Sequence, residues 1–277
     1  MQRGGDSTIL RAEALYSSQQ SDDLYRGTSR VGNPDDVMTS FQQQTLHLNW
    51  RALDALELNV LVPRVEIHNE ARGQKDVDLE GLGDVSLFVD WGPWRGARDA
   101  ASKGERLLDP SGLSLIGGLK FPTGKEGDSV AQGATPPALL QLGTGTYDPL
   151  LGFQYSGRTG DFSLFHRTLV QIAGGESGAG LRPATVLQTA TGVAYELFGR
   201  VTPSLAVEGI FRDKDSLDGD TIDNTGSSLW AVTPGVSIRI LDRLYLEGSV
   251  RIPVDYNVNR TQLVPGELWT VGVSWSF

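Results

Sequence analysis

Trp269-Thr270-Val271-Gly272-Val273-Ser274-Trp275-Ser276-Phe277 closes the chain, alternating a large apolar side chain with a small or polar one. Successive side chains of an extended backbone point to opposite faces, so Trp269, Val271, Val273, Trp275 and Phe277 form one apolar stripe. Such a strand fits a wall with oil on one side and water on the other. One strand of a soluble sandwich reads the same way, so the rest of the chain has to decide the fold.

At 277 residues the chain is long enough for two ordinary domains or one large all-β unit, and its 34 glycines, 13 prolines and many short alternating segments favour the single unit, residues 1–277. The hydrophobic fraction is 39% and the mean hydropathy −0.20, and no window approaches the roughly 18 apolar residues of a membrane helix. A transmembrane barrel escapes that test, because only alternate residues of each strand face lipid. The absence of cysteine suits an exported protein without disulfides but is equally ordinary in the cytosol. Met1-Gln2-Arg3-Gly4-Gly5 carries no apolar signal core. The protein is therefore either cytosolic or exported with its signal peptide replaced by a start methionine, and the strand pattern selects export. A net charge of −10 and a pI near 4.8 argue against a nucleic-acid partner.

Period-two runs bounded by Gly, Pro, Asn and Asp predict twelve strands at about 7–16, 43–51, 56–68, 82–91, 113–121, 146–156, 161–172, 184–198, 204–212, 229–240, 244–254 and 267–277. An even number places both ends of a barrel on one side, expected to be periplasmic. The connections sort by parity. Those at 52–55, 157–160, 199–203 and 241–243 are short, and those at 17–42, 69–81, 122–145, 173–183, 213–228 and 255–266 are long. Tight turns on one side and long loops on the other belong to a transmembrane barrel. Residues 92–112 break the rule, being about twenty residues where a turn is due, with helix-forming composition over 97–108. A short periplasmic helix, a segment folded into the lumen and a miscounted strand all remain open.

Within the strands one alternate set is apolar, including Leu46, Leu48 and Trp50, Val85, Leu87, Val89 and Trp91, Leu151, Phe153 and Tyr155, and Leu205, Val207 and Phe211, and is assigned to lipid. The third strand needs a fault, since Leu58, Val60 and Val62 hand over to Val65 and Ile67 across Pro63, which predicts a bulge there. The complementary set is charged or polar. Arg11, Glu13, His47, Arg51, Asp90, Lys120, Arg167, Glu208, Arg239, Glu247 and Arg251 are the predicted pore-lining residues, accompanied by Asn49, Asp84, Gln154 and Gln171. Unpaired charges in a dry core cost several kcal/mol each, so this face must be hydrated, mutually paired or both. The expectation is pairing across a narrow lumen. A soluble sheet would instead need helices over its apolar face, and only 97–108 looks helical. The six tryptophans lie near predicted strand ends, where interfacial girdles form.

The closing strand resembles that of bacterial outer-membrane barrels, which implies recognition of Phe277 by the barrel-assembly machinery. Three further stretches carry a family resemblance: Gly81-Leu82-Gly83-Asp84-Val85, Gly118-Leu119-Lys120-Phe121-Pro122-Thr123-Gly124 and Leu142-Gly143-Thr144-Gly145-Thr146-Tyr147-Asp148. In this order they resemble the outer-membrane proteins grouped as "MetA-pathway of phenol degradation", over about residues 80–175. The resemblance implies an exported barrel of transporter or channel type, associated with uptake of hydrophobic or aromatic compounds, and assigns no catalytic residue.

Only three histidines are present, His47, His68 and His166, and none is followed by the Ser-Asn of the outer-membrane phospholipases, so no enzyme activity, cofactor or metal is expected. The acidic loop 213–224 has oxygen-rich spacing suited to calcium but lacks a twelfth-position glutamate, and reads as a solvated loop. The leading reading is an integral outer-membrane barrel, embedded in lipid and lipopolysaccharide, that conducts small solutes passively. The alternative is a non-conducting barrel that sheathes or docks a periplasmic partner such as a redox protein, with 92–112 as the docking segment.

Overall fold

The computed structural model describes residues 10–94, 109, 112–124 and 141–277. In chain order the strands are β1 (Leu10–Ser21), β2 (Asp23–Gly27), β3 (Ser29–Val31), β4 (Met38–Leu53), β5 (Leu56–Glu70), β6 (Val77–Leu82), β7 (Val85–Trp91), β8 (Leu113–Phe121), β9 (Asp148–Thr159), β10 (Phe162–Gln171), β11 (Leu181–Arg182), β12 (Val186–Tyr195), β13 (Val201–Arg212), β14 (Ser216–Leu217), β15 (Asp220–Thr221), β16 (Ser227–Leu241), β17 (Leu244–Val264) and β18 (Leu268–Ser276). Twelve of them form an antiparallel ring in the order β1-β4-β5-β7-β8-β9-β10-β12-β13-β16-β17-β18. The ring closes where β18 returns to β1, with Arg11 opposite Ser276 and Gln19 opposite Leu268. Closure leaves no unpaired edge, the condition for a sheet to stand in lipid.

The outer surface is the apolar one. Along β18, Trp269, Val271, Val273, Trp275 and Phe277 are 58, 55, 43, 41 and 61% exposed, and most of the other large apolar residues assigned to lipid are exposed as well. Tight connections at 54–55, 160–161 and 242–243, with a five-residue one at 196–200, share one rim with both ends of the described chain. The opposite rim carries the long connections, the β2–β3 hairpin and the small β11-β14-β15 sheet.

Three expectations need correction. The first concerns Pro63: the β4–β5 register runs unbroken from Met38 opposite Glu70 to Arg51 opposite Glu57, so there is no bulge there. The fault lies in the neighbouring strand, which breaks into β6 and β7 at Gly83-Asp84, where Gly83 N–H donates to the Pro63 carbonyl at 2.9 Å. With β5 continuous, Val65 and Ile67 point inward, while Arg64, Glu66 and His68 follow Val62 on the outer face. Those outward charges pair with one another and with β6 (Arg64 with Glu66 and Glu80, His68 with Glu70 and Asp78) and mark where the apolar band ends.

Secondly, residues 255–266 are mostly strand rather than loop. β17 continues to Val264 because β2 pairs with its upper part, leaving a connection of only 265–267. Much of 17–42 is likewise strand. In these ribbons beyond the apolar band both faces are polar, as in Ser17-Ser18-Gln19-Gln20-Ser21, so hydrophobic period cannot reveal them. Thirdly, the predicted lining residues pair with near neighbours along the wall and not across the lumen. The predicted helical stretch 97–108 lies outside the described residues.

Candidate functional site: the lumen wall

The inward face carries a hydrogen-bonded chain across six adjacent strands. On β17, Glu247 accepts from Arg11 of β1 (Nη2 to Oε1, 2.8 Å), and Arg11 also reaches Ser274 Oγ of β18 at 3.1 Å and Glu13 Oε1 at 3.5 Å. Glu13 Oε2 lies 3.0 Å from His47 Nδ1 on β4, and His47 Nε2 lies 3.0 Å from Asn59 Oδ1 on β5. Asn59 Nδ2 donates to Asp90 Oδ2 on β7 at 3.1 Å, and Asn49 Nδ2 donates to Asn59 Oδ1 at 2.8 Å and to Glu57 at 3.3 Å. Nearer the tight-turn rim, Arg51 pairs with Glu57 at 3.2 Å.

A second centre surrounds Lys120, one residue before the end of β8. Its ammonium lies 2.7 Å from both Asp84 and Asp148 and donates its third proton to Thr144; the three charged side chains are 8, 7 and 1% exposed. Asp84 also accepts from Gly124 N (3.0 Å), Thr144 N (2.9 Å) and Thr144 Oγ1 (3.1 Å). Asp148 accepts from Thr146 Oγ1, Gln171 Nε2 and Gly174 N. Thr123 Oγ1 donates to Gly83 O at 2.9 Å and accepts from Val85 N at 2.8 Å. The three stretches that carry the family resemblance thus converge on one buried knot at the long-loop rim. Gly143 is required there, since a Cβ would lie 2.5 Å from Asp84 Oδ1 and 2.8 Å from Gly124 Cα.

The remaining predicted residues separate. Arg251 Nε donates to Glu208 Oε2 at 2.6 Å, with Thr233 on the other carboxylate oxygen. Arg167 holds its guanidinium 5.5 Å over the Phe88 ring, with the Asp90 charge acting on it. Arg239 turns to the tight-turn rim and donates to the Gly199 carbonyl. The ion pairs of Arg11, Lys120, Arg51 and Arg251 join strands that are adjacent or two apart, and Arg167 reaches Phe88 three strands along the wall; the far side of a twelve-stranded ring is beyond such side chains.

Residues that sequence reading passed over set the shape of the lumen. Phe88, Ile116 and Leu150 point inward and are 5, 3 and 5% exposed, so this part of the interior is packed. Across from them, the inner faces of β12, β13 and β16 to β18 bear Ala194, Thr202, Ser204, Gly235, Ser249 and Gly272. A cavity of about 300 Å³ lies against this thin wall, with Leu15 and Glu247 also on its lining. At the long-loop rim the inward Val65, Ile67 and Leu79 form an apolar cluster, with Phe41, Val77 and Leu142 packed against it. The sequence signal for both features was the identity of the alternate residues opposite the lipid stripe.

Among the described residues no three His, Asp or Glu side chains are grouped to hold a metal ion. In the acidic loop, Asp215 accepts from Ala184 N and Arg212, and Asp223 pairs with Lys214 at 2.9 Å and Arg260 at 3.3 Å. These two cations hold the Asp223 carboxyl below its ordinary value. His166 faces outward, hydrogen-bonded to Thr168 and Thr191.

No family model and no curated protein sequence matches this chain. Among solved structures it is similar to an outer-membrane channel from Pseudomonas putida F1, with TM-score 0.70 and 13% identity over 100% of both chains. It is also similar to the β-domain of the Bordetella autotransporter BrkA (TM-score 0.54, 14% identity, 98% of this chain and 100% of that one). A third likeness is to the translocator domain of the autotransporter NalP from Neisseria meningitidis (0.54, 11%, 99% and 90%). At these identities the likeness is one of architecture. Together with the oily exterior and the polar lumen, it establishes the fold as that of a β-barrel of the bacterial outer membrane.

Proposed function

We propose that this barrel is a passive channel for small solutes, with the path running along the thin wall beside Ser204, Gly235 and Ser249. The observation that carries this reading is the cavity there, bounded by hydroxyls and the Glu247 carboxylate within a ring whose exterior is apolar. By the parity of its connections, the long-loop rim faces outward and the tight turns and termini face the periplasm. The charged side chains on the wall, Arg11, Glu13, His47, Glu208, Glu247 and Arg251 among them, then set ion preference. The similarity to a Pseudomonas channel and the resemblance to phenol-pathway proteins support transport over catalysis. The apolar cluster of Val65, Ile67 and Leu79 at the outer mouth favours aromatic or hydrophobic solutes as the first to be tried.

The test is single-channel recording of the refolded protein in a planar bilayer. A steady conductance is expected, with the reversal potential in a salt gradient moving towards cation preference in Arg251→Ala. Arg239→Ala, whose guanidinium is tied to a turn carbonyl, is expected to move it less. Absence of conductance, with co-purification of a periplasmic protein that is lost on deleting 97–108, would replace this reading with the docking barrel.

A further inference from the structure

The chain Glu247–Arg11–Glu13–His47–Asn59–Asp90 constrains where its protons lie, beginning from Asp90 at its far end. Asp90 Oδ2 accepts, so the group of Asn59 turned towards it is the amide nitrogen, at 3.1 Å. Asn59 therefore presents its oxygen to His47 Nε2, and that same oxygen receives a proton from Asn49, whose own amide nitrogen also contacts Glu57. His47 Nε2 must carry a hydrogen to make its 3.0 Å contact. At the other end of the ring, Nδ1 faces Glu13 Oε2, also at 3.0 Å, and Glu13 shares Arg11 with Glu247. Both imidazole nitrogens thus meet acceptors, and a neutral imidazole can donate from only one of them. Charge balance agrees. Along the chain Glu247, Glu13 and Asp90 carry three negative charges against the one positive charge of Arg11, so a cationic His47 reduces the excess from two negative charges to one.

The geometry points to His47 as a fixed imidazolium in the lumen wall, a positive charge that the Asn59 acceptor enforces and that shifts the channel's preference towards anions relative to an uncharged residue at this position. The groups that face it complete the picture: Glu13 and Arg11 from β1, Asn59 and Glu57 from β5, Asp90 and the stacked Phe88 from β7 at 6.5 Å between ring centres, and Glu247 from β17, reached through Arg11. Arg167 of β10 holds its guanidinium 5.5 Å from the centre of the same Phe88 ring. The His47 side chain remains 23% exposed, so its charge is felt by the lumen. Asp90 and Asn49 act here as positioning residues: together they orient Asn59, and Asn59 demands the second proton.

This assignment rests on the channel reading only for its effect on selectivity, and two measurements separate the parts. The three histidines can be labelled with ¹⁵N and told apart by His47→Gln. In the refolded barrel at pH 7, two N–H groups on His47 are expected in wild type. Asn59→Leu removes the acceptor that faces Nε2, and the His47 Nε2 hydrogen is then expected to be lost, with the barrel still folded by its heat-modifiable mobility. One N–H on wild-type His47 at pH 7, or no change in a folded Asn59→Leu, overturns the enforced imidazolium. In bilayers, His47→Gln is expected to move the reversal potential towards cations. An unmoved potential refutes the selectivity role while the nitrogen spectrum still decides the charge, and an absence of current in the wild type removes the channel reading and the selectivity role together.

Discussion

Along β7 to β10 the lumen face carries Phe88, Ile116, Leu150, Phe165 and Leu169, whereas on β12 to β18 it carries Gly192, Ala194, Ser204, Gly235, Ser249 and Gly272. The first half is filled with its own side chains and tied at the rim by the Asp84–Lys120–Asp148 knot. The second leaves its interior to solvent. A twelve-stranded ring lies between the eight-stranded barrels that side chains fill and the wide porins that stay open. This one divides the difference by sector, putting bulk on one side and room on the other. Stability and permeability should therefore respond to different halves of the same wall.

The largest separation is expected from the knot. Among the described residues, Lys120 is the cation that lies between two nearly inaccessible carboxylates; Lys120→Ala removes it, and breaking a buried pair in this way costs about 3–5 kcal/mol. Unfolding in urea, followed by the shift in electrophoretic mobility, is expected to report a loss of that order. A loss under about 1 kcal/mol would mean that water reaches the site and that the filled half is not the stabilising one.

A smaller effect distinguishes the inside of the thin wall from its outside. Val207 is 51% exposed on the outer face of β13, and its neighbour in sequence Ala206 points inward. An arginine at 207 near the bilayer midplane is expected to cost about 2–4 kcal/mol. Arginine at inward-facing Ser204, beside the cavity, is expected to change stability by no more than about 0.5 kcal/mol while moving the reversal potential towards anions. Equal losses from the two would mean that the thin wall does not border water.

Ser249→Phe sharpens the comparison without a charge. Filling the cavity from the thin wall is expected to lower single-channel conductance with little change in unfolding. Phe88→Ala in the packed sector should do the reverse, destabilising without opening a wider path, because the space it vacates is enclosed by Ile116 and its neighbours.

How much of this was legible beforehand follows the membrane boundary. Within the band, lipid outside and water inside impose opposite demands on alternate residues, so strand number, closure and the facing of Arg11, Glu13, His47, Glu247 and Arg251 could be read directly. Beyond it both faces are wet, and the strand extensions at Ser17–Ser21 and Tyr256–Val264 carry no such signature. The bulge placed at Pro63 failed for a related reason. Apolar residues change faces there because the band ends, so that Arg64 and Glu66 turn to water while Val65 and Ile67 pack inward. Pairing partners were hidden because register, which sequence does not report, decides that Arg11 meets Glu247 and that Asp84 meets Lys120 from another strand.

The smallest expected effect lies outside the wall, in the loop that follows β13 and the small sheet it supports, and it contrasts with the knot as an exposed ion pair against a buried one. Asp223 is held ionised by Lys214 and Arg260, so its folded-state proton affinity is reduced relative to the unfolded chain. A carboxyl depressed in this way contributes stability that is present above the ordinary aspartate value, about pH 4, and is lost as pH falls through the lower folded value. The group is solvent-exposed, so the change belongs to the loop and not to the barrel. Amide exchange in residues 213–226 is expected to be flat from pH 7 to about pH 4, after correction for intrinsic rates, and to rise only below it. Lys214→Ala should move the onset of that rise upward. Loosening already between pH 7 and pH 5, or an onset unmoved in Lys214→Ala, would show that these pairs do not order the loop and would reopen the reading of its carboxylates as ligands for an added cation.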